Sequence, residues 1–222
     1  MTVDPIRGVF PVLPTIFSED GAPDRDGIVS VLEYVIASGA DGVVFPGLAS
    51  EYDTLTLDER EALIALVGER SSGRVRFVVG ASGDDVEQSA RLVQAGGRGG
   101  AVAAMVMTPR AVGPDVAALA GFYDGVGTRG GLPLMLQNAP APMGLGLSAS
   151  VLAEIVGATG AVAWVKEENM PCGQRISALL KSGAGSLRGV FGGAGGRYVT
   201  DELIRGALGT MPAAETPEVH VA

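Results

Sequence analysis

Short apolar runs alternate with amphipathic segments of helical length from one end of this chain to the other, and few architectures accept that order. The apolar runs are Val9–Phe17, Gly42–Leu48, Arg76–Ser82, Ala101–Met107, Pro133–Ala139, Val162–Glu168, Leu187–Gly195 and Gly209–Glu215. Between them lie segments with helical spacing: Asp24–Gly39, Thr56–Glu69, Asp84–Gly97, Gly113–Gly127, Ser148–Gly160, Cys172–Gly183 and Tyr198–Ala207. In the first of these, Ile28, Leu32, Val35 and Ile36 share one face and Gly39 supplies a stop. Thr56 with Glu59 has the spacing of a capping box, and Ser148 is placed to cap the fifth helix. Continuous apolar strands separated by amphipathic helices require a parallel sheet covered by helices. Eight units favour a closed (β/α)8 barrel over an open doubly wound sheet. Pro11 and Pro14 restrict how the first strand can pair, since proline has no N–H to donate.

No linker, low-complexity tract or charge block divides the sequence, so residues 1–222 are expected to form a single barrel domain. The last apolar run is followed only by Glu215–Ala222. A barrel of this kind has typically about 250 residues and an eighth helix. The expectation is therefore a barrel truncated after strand eight, its final helix absent, with a neighbouring subunit or the tail itself covering the open flank. A net charge of −9 argues against nucleic acid and against acidic membrane surfaces, which recruit basic patches. No apolar run approaches a membrane span, and Met1–Phe10 does not have the pattern of a signal peptide. Cys172 is the one cysteine, which fits a reduced, cytoplasmic setting and excludes an intrachain disulfide. No residues have metal-ligand spacing, and no cofactor is implied.

In such barrels chemistry sits at the C-terminal ends of the strands. That rule selects Ser50 and Glu51, Arg110, Gln137 and Asn138, Lys166 and Glu168, and Gly192 to Gly196. Lys166 is the sharpest of these, because Ala161–Val165 is apolar and runs directly into it. Side chains alternate along a strand, so Trp164, Lys166 and Glu168 share one face while Val165 and Glu167 share the other. The helix-facing side calls for apolar residues, which suits Val165 and turns Lys166 into the barrel mouth. A desolvated lysine has a depressed pKa and can attack a carbonyl to form an imine. A solvated strand-end lysine paired with a glutamate is the competing reading of the spacing. Cys172 follows a proline at a helix start but reads as structural, as do the alternating Met105 and Met107, and His220 lies far along the tail.

Four stretches carry a resemblance: Gly8–Asp24, Gly39–Arg60, Pro133–Gly144 and Val162–Glu168. In order and spacing they resemble the Schiff-base aldolases of the dihydrodipicolinate synthase and N-acetylneuraminate lyase family. The resemblance implies a (β/α)8 barrel, assembly into dimers or tetramers, and an imine between Lys166 and pyruvate or a related 2-oxo acid. It implies either aldol cleavage or condensation, or dehydration. It also places Gly47, Ala49 and Ser50 where the family binds the keto-acid carboxylate, and Gln137 and Asn138 in the fifth-strand motif.

The departures are specific. The family's Gly-Thr-Thr-Gly-Glu reads Gly47-Leu48-Ala49-Ser50-Glu51 here, so two hydroxyls are missing and the backbone amides with Ser50 must serve. Gln137 stands where the family has its proton-shuttling tyrosine, and glutamine cannot titrate at neutral pH. Glu168, on the face of Lys166, is the expected replacement for proton transfer, with Tyr52 in reserve. Pro142 replaces the arginine that holds the second substrate of dihydrodipicolinate synthases. Arg110 could hold a carboxylate, and Gly192 and Gly193 are expected to pack closely against the substrate adduct. With those hydroxyls and the tyrosine gone, a non-catalytic keto-acid or sugar-acid binding paralogue is the alternative expectation.

Overall fold

The computed structural model describes residues 6–222. Eight parallel strands follow one another: β1 (Gly8–Val9), β2 (Gly42–Phe45), β3 (Arg76–Gly80), β4 (Ala103–Met107), β5 (Leu134–Asn138), β6 (Val162–Glu167), β7 (Gly189–Gly192) and β8 (Gly209–Thr210). Each pairs with its sequence neighbour, except that β1 pairs with β8. Between β1 and β2 the ring closes one step further along the chain, where the Val44 N–H donates to Pro11 O (2.9 Å) and the Leu13 N–H to Val44 O (3.0 Å). The architecture is the closed (β/α)8 barrel that the alternation predicts.

Seven helices fill the expected gaps: α1 (Arg25–Ala37), α2 (Leu57–Ser71), α3 (Val86–Arg98), α4 (Val116–Gly130), α5 (Ala149–Ala158), α6 (Cys172–Ser182) and α7 (Val199–Ile204). The caps form as the sequence suggests. Thr56 and Glu59 exchange hydrogen bonds in a capping box, and the Ser148 hydroxyl accepts from the Val151 N–H. The first and last strands are shorter than their apolar runs because Pro11, Pro14 and Pro212 interrupt the donors of a continuous ladder. The tail, expected to carry no helix, contains a short one, α8 (Pro217–Val221). It lies in the gap between β8 and β1, where Tyr34 Oη donates to Glu218 Oε2 at 2.6 Å.

Two apolar cores result. Ile28, Leu63, Val93, Leu152 and Val190 belong to the layer between sheet and helices. Phe10, Val44, Val78, Met105, Met135, Trp164 and Phe191 fill the barrel itself, with Phe10 and Phe191 edge to face. Met105 is buried in the barrel core, as core filling requires, whereas Met107, also buried, belongs to neither core and borders a pocket at the β4 end. This plug closes the lower barrel and leaves its polar groups at the C-terminal end of the strands.

Candidate active site

Strand alternation positions the central group. Trp164 points into the barrel plug, and Lys166, two residues on, points the same way one level higher. In register, Lys166 lies between Gln137 of β5 and Phe191 of β7. Its side chain is 3 % exposed, and Nζ is 3.3 Å from Glu168 Oε1. The Glu168 carboxylate also accepts from Gln137 Nε2 at 2.8 Å and from the Ala194 N–H at 3.2 Å. Two neighbouring strand ends, β5 and β6, thus bring together Lys166, Glu168 and Gln137, the three residues expected to carry chemistry, and the turn after β7 adds the Ala194 amide. The arrangement desolvates an amine and sets a carboxylate with two further donors beside it, which suits nucleophilic attack coupled to proton transfer.

Gly193 makes the close packing possible. A Cβ at this position would lie 2.6 Å from Glu168 Oε1 and 2.7 Å from Lys166 Cε. Gly192 faces the other way. A Cβ there would meet Glu202 Oε2 of α7 at 1.8 Å, so this glycine makes room in the helix layer and not at the barrel mouth.

Asn138 likewise faces the helix layer, one residue out of phase with Gln137. Its Nδ2 donates to Leu147 O (2.9 Å) and to both Glu167 oxygens (3.1 and 3.0 Å), and its Oδ1 accepts from the Leu147 N–H (3.0 Å). Glu167, placed by strand alternation on the face opposite Lys166, is fully buried. It accepts from the Asn169 N–H at 2.8 Å and from Arg175 Nη2 at 3.0 Å. Arg175 also donates to Leu147 O. This network pins the ends of β5 and β6, the 139–148 loop and α6 to one another directly behind Lys166.

Gly47, Ala49 and Ser50 form a 3-10 turn after β2, across the barrel from β6. The Ser50 hydroxyl is fully buried, accepts from the Gly47 N–H at 2.8 Å and donates to Leu13 O. It is committed to holding the turn, and Ala49 is exposed. Arg110 does not join Lys166 either. It is exposed and lines a separate pocket of about 560 Å³ over the β2, β3 and β4 ends, with Tyr52, Arg60, Asp84 and Thr108. Lys166, Glu168 and Gln137 are not part of that pocket's lining. Burial pushes the Tyr52 phenol up, and the Arg60 guanidinium lies 4.8 Å over its ring.

Two residues outside the expected set stand out. Burial, followed by the charges of Glu202 and Glu167, pushes the Cys172 thiol up to about 11, so the helix start does not activate it. Burial pushes the Glu202 carboxyl up to about 7, with Asp201 and Glu168 adding to the shift. Glu202 gives no signal in the sequence, because its burial depends on a glycine in a neighbouring strand. Among the described residues no group of three or more His, Cys, Asp or Glu side chains is arranged to hold a metal. Also among them, no helix is long and apolar enough to cross a membrane.

Comparison with known proteins gives the same picture. Residues 5–187 match the dihydrodipicolinate synthetase family. An L-2-keto-3-deoxyarabonate dehydratase of Azospirillum brasilense is 29% identical over 215 residues, covering 96% of this chain and 69% of its own. A 4-hydroxy-tetrahydrodipicolinate synthase of Stenotrophomonas maltophilia is 33% identical over 175 residues, covering 79% of this chain and 58% of its own. The match thus spans 69% of the first relative's length and 58% of the second's. In three dimensions, a prophage protein of the dihydrodipicolinic acid synthase family from E. coli K12, solved in complex with pyruvate, superposes with a TM-score of 0.87. That match covers 97% of this chain and 73% of the other at 24% identity, and it speaks for the fold.

Proposed function

The chain belongs to the dihydrodipicolinate synthetase family of Schiff-base lyases, and from that premise we propose that Lys166 condenses with a 2-oxo acid. The observation that carries the reading is the buried Nζ, inside the barrel mouth and 3.3 Å from a carboxylate. Glu168 takes a proton from the lysine ammonium. The free amine then attacks the C2 carbonyl, and Glu168 returns its proton to the carbinolamine hydroxyl, which leaves as water as the protonated imine forms. The imine withdraws electrons from C3, so a C3 proton is lost and an enamine forms. Glu168, beside Nζ, is the proposed acceptor of that proton. When C4 carries a hydroxyl, the enamine electrons expel it as water, with Glu168 returning the proton. Hydrolysis of the imine frees Lys166 and the product.

Dehydration is the branch favoured here. One relative matching nearly the whole chain is named a dehydratase of a 2-keto-3-deoxy sugar acid; another, matching 94% of it, is named a 4-hydroxy-tetrahydrodipicolinate synthase, so the choice of branch rests on Pro142. Pro142 cannot supply the guanidinium that a second, carboxylate-bearing substrate would need. The backbone amides of Leu48 and Ala49 are proposed to receive the substrate carboxylate, since the Ser50 hydroxyl is already engaged. The same reading takes the protein to be cytoplasmic and to work as a homo-oligomer, dimer or tetramer, with no nucleic acid or membrane partner. The test is exchange of the pyruvate methyl protons for deuterium, followed by NMR. Exchange in the wild type that is lost in Lys166→Arg supports the reading, and equal exchange in the two proteins contradicts it. A panel of 2-keto-3-deoxy sugar acids assayed for loss of water then identifies the substrate.

A further inference from the structure

We propose that Glu202 is a positioning residue for the Lys166–Glu168 pair, acting through the Gly192–Gly193–Ala194 turn, a role that rests on the Schiff-base reading above. The turn is held between two walls. Glu202 occupies the space where a Gly192 side chain would be, and Lys166 with Glu168 occupies that of Gly193. Ala194 follows in the left-handed region at φ +50°, and its N–H donates to Glu168 Oε1. A shift of either wall therefore moves the donor that orients the Glu168 carboxylate.

The Glu202 side chain is fully buried, and neither of its oxygens has an N–H or O–H partner among the described residues. Thr210 Oγ1, on the residue in register with Gly192, is also buried and unpartnered. Glu202 faces Asp201 of its own helix, which is itself paired with Arg205, the Cys172 thiol of α6, which is placed to donate to its carboxylate, and Glu168 across the turn. His220 of α8 packs against Gly196, at the far end of the segment. Such surroundings favour the neutral acid, in keeping with a pKa of about 7. Loss of the proton puts an unpaired charge behind the turn and opposite Glu168, and the Ala194 N–H withdraws. The sign follows. The folded protein retains a proton that the unfolded chain releases near 4.5, so this contribution to stability is full below that pH and is lost as pH rises through about 7. Turnover falls over the same upper range.

The test compares the full chain with Glu202→Gln, which is neutral at every pH and of similar shape. The rate of pyruvate methyl deuterium exchange is measured between about pH 6 and pH 8.5, each protein relative to its own value at pH 6. The wild-type rate is expected to fall about 10-fold or more beyond any change in the variant, as the fraction of neutral Glu202 falls. Parallel profiles would overturn the proposal. The Ala194 amide resonance of the wild type, followed by NMR over the same range, is expected to titrate with a midpoint near that of Glu202. This second measurement decides the matter if Glu202→Gln does not fold, and an invariant resonance also overturns it. Absence of exchange at every pH in both proteins strikes the Schiff-base reading instead, and the amide titration still reports the coupling between Glu202 and the turn.

Discussion

Removing the Arg175 guanidinium should destabilise the barrel far more than an ordinary surface substitution does. Glu167 is fully buried and sits between Asn138, Asn169 and Arg175. Arg175 supplies the one cation in that set, and its side chain is 18% exposed. Arg175→Met keeps the aliphatic stem and leaves Glu167 as a buried charge held by amides alone. Breaking a buried pair in this way costs about 3–5 kcal/mol, and the remaining amide donors place this case near the lower end, about 3 kcal/mol. For a domain of this size that is a fall in Tm of roughly 6–12 °C. Glu167→Gln together with Arg175→Met removes both charges and should recover about 2 kcal/mol of the loss. Thermal and urea melts of the two single variants and the double variant give the coupling directly. If Arg175→Met costs under about 1 kcal/mol, or if the double variant is no more stable than Arg175→Met, then the network does not clamp the β5 and β6 ends and the reasoning fails.

Three further outcomes follow from the site. Glu168→Gln should still reach the pyruvate imine, but more slowly because solvent must take the lysine proton, and should lower turnover by about 100-fold or more; equal turnover would move proton transfer to water or another group. Gly193→Ala should push a methyl group into Lys166 Cε and the Glu168 carboxylate, reducing the imine trapped at equal exposure to pyruvate. Unchanged trapping would show that the turn yields easily. With aspartate semialdehyde as second substrate, condensation should be slow by about one to two decades, because Pro142 forfeits a charge-assisted contact worth about 1.5–3 kcal/mol. A rate typical of an ordinary synthase would show that another residue takes that role.

Most of the barrel is legible because two periods alternate along the chain, whereas the apolar residues leading into Lys166 leave its role open and the family resemblance is what singles it out. The parity rule that turns Lys166 inward also assigns Gln137 inward and Asn138 outward, so Asn138 belongs with Glu167 and not with the substrate. Family resemblance joins both residues in one motif and hides that distinction. The same rule puts Phe191 in the barrel and Gly192 in the helix layer. Other features depend on contacts distant in sequence. The Ser50 hydroxyl is taken by Leu13, 37 residues away, and Glu202 is buried only because Gly192 leaves space for it. Strand parity puts Glu167 on the helix-facing side, but the convergence of Asn138, Asn169 and Arg175 on it depends on tertiary contacts. The strand ends differ from their apolar runs where prolines remove ladder donors, a local effect that shortens β1 and β8 without changing the topology.

The central claim is that Lys166 forms an imine. Incubation with pyruvate, reduction with borohydride and peptide mapping by mass spectrometry test it directly. The expected result is one reduced pyruvyl adduct, on the peptide containing Lys166, absent from Lys166→Arg and absent without pyruvate. Lys181 lies in the last turn of α6 and serves as an internal control for nonspecific modification. An adduct on Lys181 alone, or no adduct with pyruvate or any other 2-oxo acid tested, would contradict the account.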